Sequence, residues 1–146
     1  QYLTDLHQLF MQKVIRPQMR QKGFDAIQKH KDLGHAIVGI TATSDFITAP
    51  IFHEFGITEI IATNAEVKDG QYTGKVAGTA CYQQGKLVRL AQWLDGREVT
   101  ESWAYSDSIN DRFLLEYADH AIAVNPDARL QALAEEQGWD VQDWSI

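Results

Sequence analysis

The sequence is short of several things, and each shortage removes a class of protein. Cys81 is the one cysteine among 146 residues, so no disulfide can form within the chain, and a reducing cytoplasm suits it. No apolar run reaches the length of about 18 residues that a membrane-spanning helix needs. No basic stretch followed by an apolar one marks a secretory leader at the N-terminus. Lys and Arg total 13 against 20 Asp and Glu, for a net charge of −7. The densest basic run is Lys29-His30-Lys31, which is too small a footprint for nucleic acid or an anionic membrane. A Gly-x-x-x-x-Gly-Lys phosphate loop is absent, and His53-Glu54 lacks the second histidine of a zinc-binding helix. His7, His30, His35, His53 and His120 are scattered, and none stands at a ligand-like spacing from Cys81. They read as surface or helix-end residues, and the four tryptophans as packing residues. The chain opens on Gln1 without a Met and reads as a fragment or a processed product.

What is present describes a single globular unit. Hydrophobic residues make up 45% and charged residues 23%, enough for one domain with a proper core. Leu3, Leu6, Phe10 and Val14 recur at helical spacing, which predicts an amphipathic helix. Pro17 opens the next helix and Gly34 closes it as a left-handed cap. Ala36 to Ile40 is a short apolar run of the kind found in buried parallel strands. A polar turn, Thr41 to Asp45, leads into a helix ending near Gly56, and Glu59 to Ala62 forms another strand. Asp69-Gly70 between extended flanks predicts a hairpin. Gly85 precedes a helix from Lys86 to Leu94. Trp103 to Tyr105 and Ala121 to Val124 are strands, followed by helices ending at Tyr117 and Gln137. Repeated β-α alternation predicts an α/β, Rossmann-like three-layer sandwich with a mostly parallel sheet.

In such sheets, ligands bind beyond the carboxyl ends of the strands. Thr41 follows the first strand, and Lys86 opens a helix after a glycine. Ser106-Asp107-Ser108-Ile109-Asn110-Asp111 follows the Trp103 strand, and Asn125 and Asp127 follow the next one. Asp107 and Asp111 could together hold one Mg²⁺, which takes oxygen ligands, few carboxylates and several waters. Each residue alone also fits a blander role. The acidic loop fits an Asx-capped turn, Thr41 a turn residue, and Lys86 a solvated side chain.

Order and spacing together are more specific. Ile37 to Ser44, then Gly85-Lys86, then Tyr105 to Asp111 resemble the second, third and fourth motifs of haloacid dehalogenase-type phosphatases, nearest the phosphoserine phosphatase-like branch and its small bacterial hydrolases. The resemblance runs from about Val14 to Trp139. It implies that Thr41, with the backbone N–H groups of Ala42 and Thr43, binds the phosphoryl group. Lys86 would pair with the phosphate and the nucleophile, Asp107 would ligate Mg²⁺ directly, Asp111 would support the metal through water, and Asn110 would orient the site. Ser106 and Ser108 stand where relatives often have glycine.

The family's first motif, Asp-x-Asp-x-Thr, supplies a carboxylate nucleophile and a general acid-base, and no such pattern occurs in these residues. The resemblance therefore implies a core without its central, nucleophile-bearing strand and without most of a helical cap. Residues 1–16 would be the end of that cap, and residues 17–146 the partial core. The implied activity is Mg²⁺-dependent hydrolysis of a small phosphorylated metabolite through an aspartyl-phosphate, with this chain alone inactive. The alternative is a non-catalytic relative that binds phosphate or protein. A sheet lacking its central strand exposes unpaired backbone groups. That predicts rearrangement, strand exchange between two copies, or capture of the missing piece.

Overall fold

Helices and strands alternate along the chain, and a computed structural model that describes residues 2–145 sets their limits. Helix α1 (Tyr2–Phe10) runs on through a wide π-type turn (Met11–Ile15) and a 3-10 turn (Arg16–Gln18). Pro17 lies in that 3-10 turn and does not open the next helix. Met19 and Arg20 are extended (ψ 129° and 131°), so α2 (Gln21–Asp32) restarts beyond them. Gly34 ends α2 with φ +75°. There the N–H groups of Gly34 and His35 return to the carbonyls of Lys31 and His30, as a left-handed cap requires.

Strand β1 (Val38–Ser44) pairs in parallel with β2 (Glu59–Lys68), and α3 (Asp45–Glu54) connects them. The expected turn at Thr41 is instead the second half of β1. Ile40 faces Ile61, the register then breaks, and Ser44 faces Thr63. Pairing with β2 on either side of the break thus carries the strand through polar residues whose sequence alone suggests a turn. Strand β2 turns at Asp69 and Gly70 (φ +52° and +75°) into antiparallel β3 (Gln71–Ala77), the geometry that Asp-Gly favours. Helix α4 (Gln84–Leu94) follows.

The second half comprises β4 (Trp103–Ser106), α5 (Arg112–Tyr117), β5 (His120–Val124), α6 (Ala128–Gln137) and β6 (Asp140–Gln142). Its strands form a parallel sheet in the order β4-β5-β6, separate from β1-β2-β3. Two three-stranded sheets thus stand where the expected sheet lacks its central strand. β1 and β4 each end a sheet, and no strand among the described residues pairs with either one there. This is the Rossmann-like α/β arrangement of a sandwich whose central strand is not among these residues. Side chains span the break. The Lys22 ammonium donates to the Asp143 carbonyl at 2.6 Å, His30 Nε2 lies 2.8 Å from the Tyr105 hydroxyl, and His35 stacks on Trp103. His30 does stand at a helix end, in the last turn of α2, and both rings also take part in these contacts.

The tightest core lies in the second half, where Leu115, Ala121, Ala123, Leu130 and Ala134 pack with Ala104, Ile109 and Trp139 around them. Burying each leucine contributes about 2 kcal/mol. α1 behaves otherwise. Its apolar stripe is real, yet no residue of α1 is buried, and Leu3 and Leu6 are 53% and 49% exposed. The helix is held at His7, whose ring packs edge-on against Phe46 and whose Nε2 lies 2.9 Å from the Ile47 carbonyl oxygen.

Candidate functional site

Lys86 lies in the first turn of α4 and is buried, with 6% exposure. Lysines are almost never buried unpaired, and here the ammonium donates to Asp111 Oδ1. The turn that delivers it is tight. The Gly85 N–H donates to the Tyr82 carbonyl at 2.8 Å. A Cβ at Gly85 would stand 2.3 Å from the Ala80 carbonyl oxygen, so this position needs glycine.

Beyond β4, the acidic loop is organised by two serines. The Ser106 hydroxyl donates to Asp111 Oδ2 at 2.6 Å and accepts from the Ser108 N–H at 3.2 Å. The Ser108 hydroxyl accepts from the Asn110 N–H at 3.2 Å. The loop thus replaces glycine freedom with hydroxyl cross-links. Asp111 spends one oxygen on Lys86 and the other on Ser106. Asp107, by contrast, is exposed at the strand end, and its carboxylate bonds to no described residue. The Asn110 side chain is exposed and joins nothing in the cluster.

Thr41 sits where β1 loses register, and its hydroxyl accepts from the Thr43 N–H at 3.1 Å. Bulges of this kind re-aim side chains at the rims of sheets. Cys81 connects Thr41 to the charged pair. The Cys81 thiol is fully buried and donates to the Ile61 carbonyl. Burial pushes the thiol pKa up, opposed by the positive charge of Lys86 and Arg89 and by the Thr41 N–H that bonds the sulfur. The Asp111 charge acts on the same thiol. The Thr41 backbone thus bonds the sulfur, and the charges of Lys86 and Asp111 act on it through space. Ala42 and Thr43 are exposed beside them.

The donor set suits a hard cation that keeps most of its water. Among the described residues there is no cluster of three or more His, Cys, Asp or Glu side chains, which disfavours a closed zinc-type cage. Asp107 offers a carboxylate with no partner among the described residues, whereas each Asp111 oxygen already accepts one hydrogen bond. That matches the partial protein coordination typical of Mg²⁺. Two surface hollows of about 410 and 470 Å³ flank α2, and none of Thr41, Lys86, Asp107 and Asp111 lines either.

Residues 1–116 match the family of haloacid dehalogenase-like hydrolases. The chain belongs to that family. It is similar to the histidinol-phosphatase of Neisseria meningitidis, at 41% identity over 95% of this chain and 65% of that protein. The phosphoserine phosphatase of Mycobacterium tuberculosis is 40% identical over 82% of this chain and 39% of its own length. The chain thus spans less than two thirds of each of these relatives. A crystal structure of a protein of unknown function from Bordetella pertussis superposes with a TM-score of 0.93 at 41% identity, covering 99% of this chain and 67% of that one. A phosphoserine phosphatase caught as a phospho-aspartyl intermediate analogue shares the fold at 22% identity and a TM-score of 0.61. No helix among the described residues is long and apolar enough to cross a membrane.

Two contributors escape a reading of motifs. Ser106 bonds Asp111 five residues away, and Asp127 accepts from the Ile109 N–H across 18 residues. For Ser106 the signal was its departure from glycine. For Asp127 the signal was a carboxylate just beyond a strand end.

Proposed function

We propose that these residues form the phosphate- and cation-binding part of a Mg²⁺-dependent phosphomonoester hydrolase. What carries the reading is the buried Lys86 ammonium, paired with Asp111, which shares its loop with an unengaged Asp107. A buried ammonium in a polar loop system is a ready counter-charge for an incoming phosphoryl group. In this reading, the Thr41 hydroxyl and the backbone N–H groups of Ala42 and Thr43 donate to phosphoryl oxygens. Lys86 neutralises charge on the same group, and Asp111 and Ser106 keep that ammonium aimed. Asp107 holds Mg²⁺, with Asp111 contributing through water. Bound there, the ion would offset the negative charge of the phosphoryl group. Asn110, whose exposed side chain is free to turn toward a bound group, helps orient the site. Residues 1–16 belong to a cap, and residues 17–146 to the core.

Hydrolysis through an aspartyl-phosphate needs a carboxylate nucleophile, and the reading assigns that role to an Asp-x-Asp-x-Thr strand outside these 146 residues. The substrate class is a small phosphorylated metabolite, in line with the relatives named as histidinol and phosphoserine phosphatases. The test is a polypeptide in which these residues follow such a strand, assayed on 4-nitrophenyl phosphate with Mg²⁺. Turnover that Asp107→Asn abolishes is the expected result. Full activity in that variant would remove Asp107 from the metal site. Stabilisation by phosphate without any turnover would instead mark a binding relative.

A further inference from the structure

We infer that Asp127 is a positioning residue for the cation site, holding the loop that carries Asp107 and Asp111 from the neighbouring strand; this rests on the reading of Asp107 as a metal ligand given above. Asp127 is the N-cap of α6, and its Oδ1 accepts from the Leu130 N–H at 2.8 Å. Capping needs one oxygen, and Ser, Thr or Asn would serve as well. The second oxygen does something else. Oδ2 accepts from the Ile109 N–H at 2.8 Å, in the middle of the acidic loop. The Asp127 N–H in turn donates to the Asp107 carbonyl oxygen at 2.9 Å.

The loop is therefore fastened at Asp107 and at Ile109 by bonds running in opposite directions. Asp107 cannot rotate about its backbone without breaking one of them. The anchor itself is fixed. Asn125, at φ +41°, donates from Nδ2 to Asp143 Oδ1 at 2.6 Å and accepts from the Trp144 N–H at 2.8 Å. The Ile109 side chain packs on the core below. Groups that orient a ligand from outside its coordination shell typically change metal affinity by about 10- to 100-fold when removed.

Asp127→Ser separates the two roles, because a serine hydroxyl keeps the cap but has no second oxygen for Ile109. Ile109→Pro deletes the same bond from the other side. Ser108 is already extended (φ −119°, ψ 136°) and Ile109 opens the 3-10 turn, so both positions accept a following or leading proline. Mn²⁺, an oxygen-ligated stand-in for Mg²⁺, is titrated into the full chain and followed by its paramagnetic resonance, with thermal melts in parallel. The expected result is a Kd about tenfold weaker in each variant, a melting temperature nearly unchanged in Asp127→Ser, and a loss in the double variant well short of the sum, since both remove the same bond while Ile109→Pro also trims a side chain packed on the core. A Kd in Asp127→Ser equal to wild type, or losses that add in the double variant, would overturn the inference and leave Asp107 as ligand. Wild type that binds no Mn²⁺, or binds it equally after Asp107→Asn, would remove the metal site and the inference together.

Discussion

The Lys86 ammonium and the Asp111 carboxylate meet across the break between the two sheets, one from the helix after β3 and the other from the turn after β4. Their side chains are 8% and 19% exposed, so neither charge is well hydrated. Losing one partner of a buried pair leaves the other stranded. Lys86→Met should lower stability by roughly 3 kcal/mol, read as a fall in the urea midpoint. Lys86→Met with Asp111→Asn should recover part of that loss, because the double variant leaves no unpaired charge. Additive losses would show that the pair contributes nothing as a pair.

Leu130 tests where the core lies. It is fully buried and packs with Leu115, Ala121 and Ala134 beneath β5. Leu130→Ala removes buried methyl groups and leaves a cavity, at a cost of about 3 kcal/mol. The urea midpoint should drop while the slope stays constant. By contrast, Leu6→Ala on the solvent-facing stripe of α1 should cost well under about 1 kcal/mol.

Local chemistry made much of this legible in the sequence. Asp69-Gly70 and Gly34 announce their turns because only certain residues accept positive φ. The acidic loop announces itself because polar residues crowd a strand end. What stayed hidden depends on distant partners. β1 continues through Thr41 to Ser44 because β2 supplies the ladder. β6 escapes notice because Asp140, Val141 and Gln142 offer no apolar alternation, and β5 recruits it. The stripe on α1 is plain in the sequence, but periodicity reports that a face is apolar and not what covers it. The bonds of Ser106 to Asp111 and of Asp127 to Ile109 stayed hidden because the sequence does not say which side chain meets which backbone group.

Gly85 tests how tightly the lysine turn is built. The Ala80 carbonyl oxygen lies where its Cβ would go. That oxygen belongs to backbone and cannot swing aside as a side chain would. Gly85→Ala should therefore cost about 1–3 kcal/mol and displace Lys86 from Asp111. Phosphate affinity should fall with it, measured by calorimetry. An unchanged melt and unchanged phosphate binding would show that the loop before α4 can shift freely.

His30 gives the fold a pH dependence whose sign can be worked out. Its Nδ1 lies 2.8 Å from His35 Nδ1, and its Nε2 lies 2.8 Å from the Tyr105 hydroxyl. Two ring nitrogens this close share one proton. Burial lowers the His30 pKa below its ordinary 6.5, and positive charge on His35 and Lys29 lowers it further. Between that lowered value and 6.5 the unfolded chain binds more protons than the folded one, so stability rises with pH. The contribution is complete above about pH 6.5 and is lost as pH falls through the window toward the folded value. His30 lies in the contact of α2 with β4, so the desolvation cost of charging it there should loosen the contact between the halves. The urea midpoint should fall as pH drops below about 6.5, and His30→Gln, which cannot titrate, should flatten that fall. An identical slope in the variant would assign the pH dependence to another group.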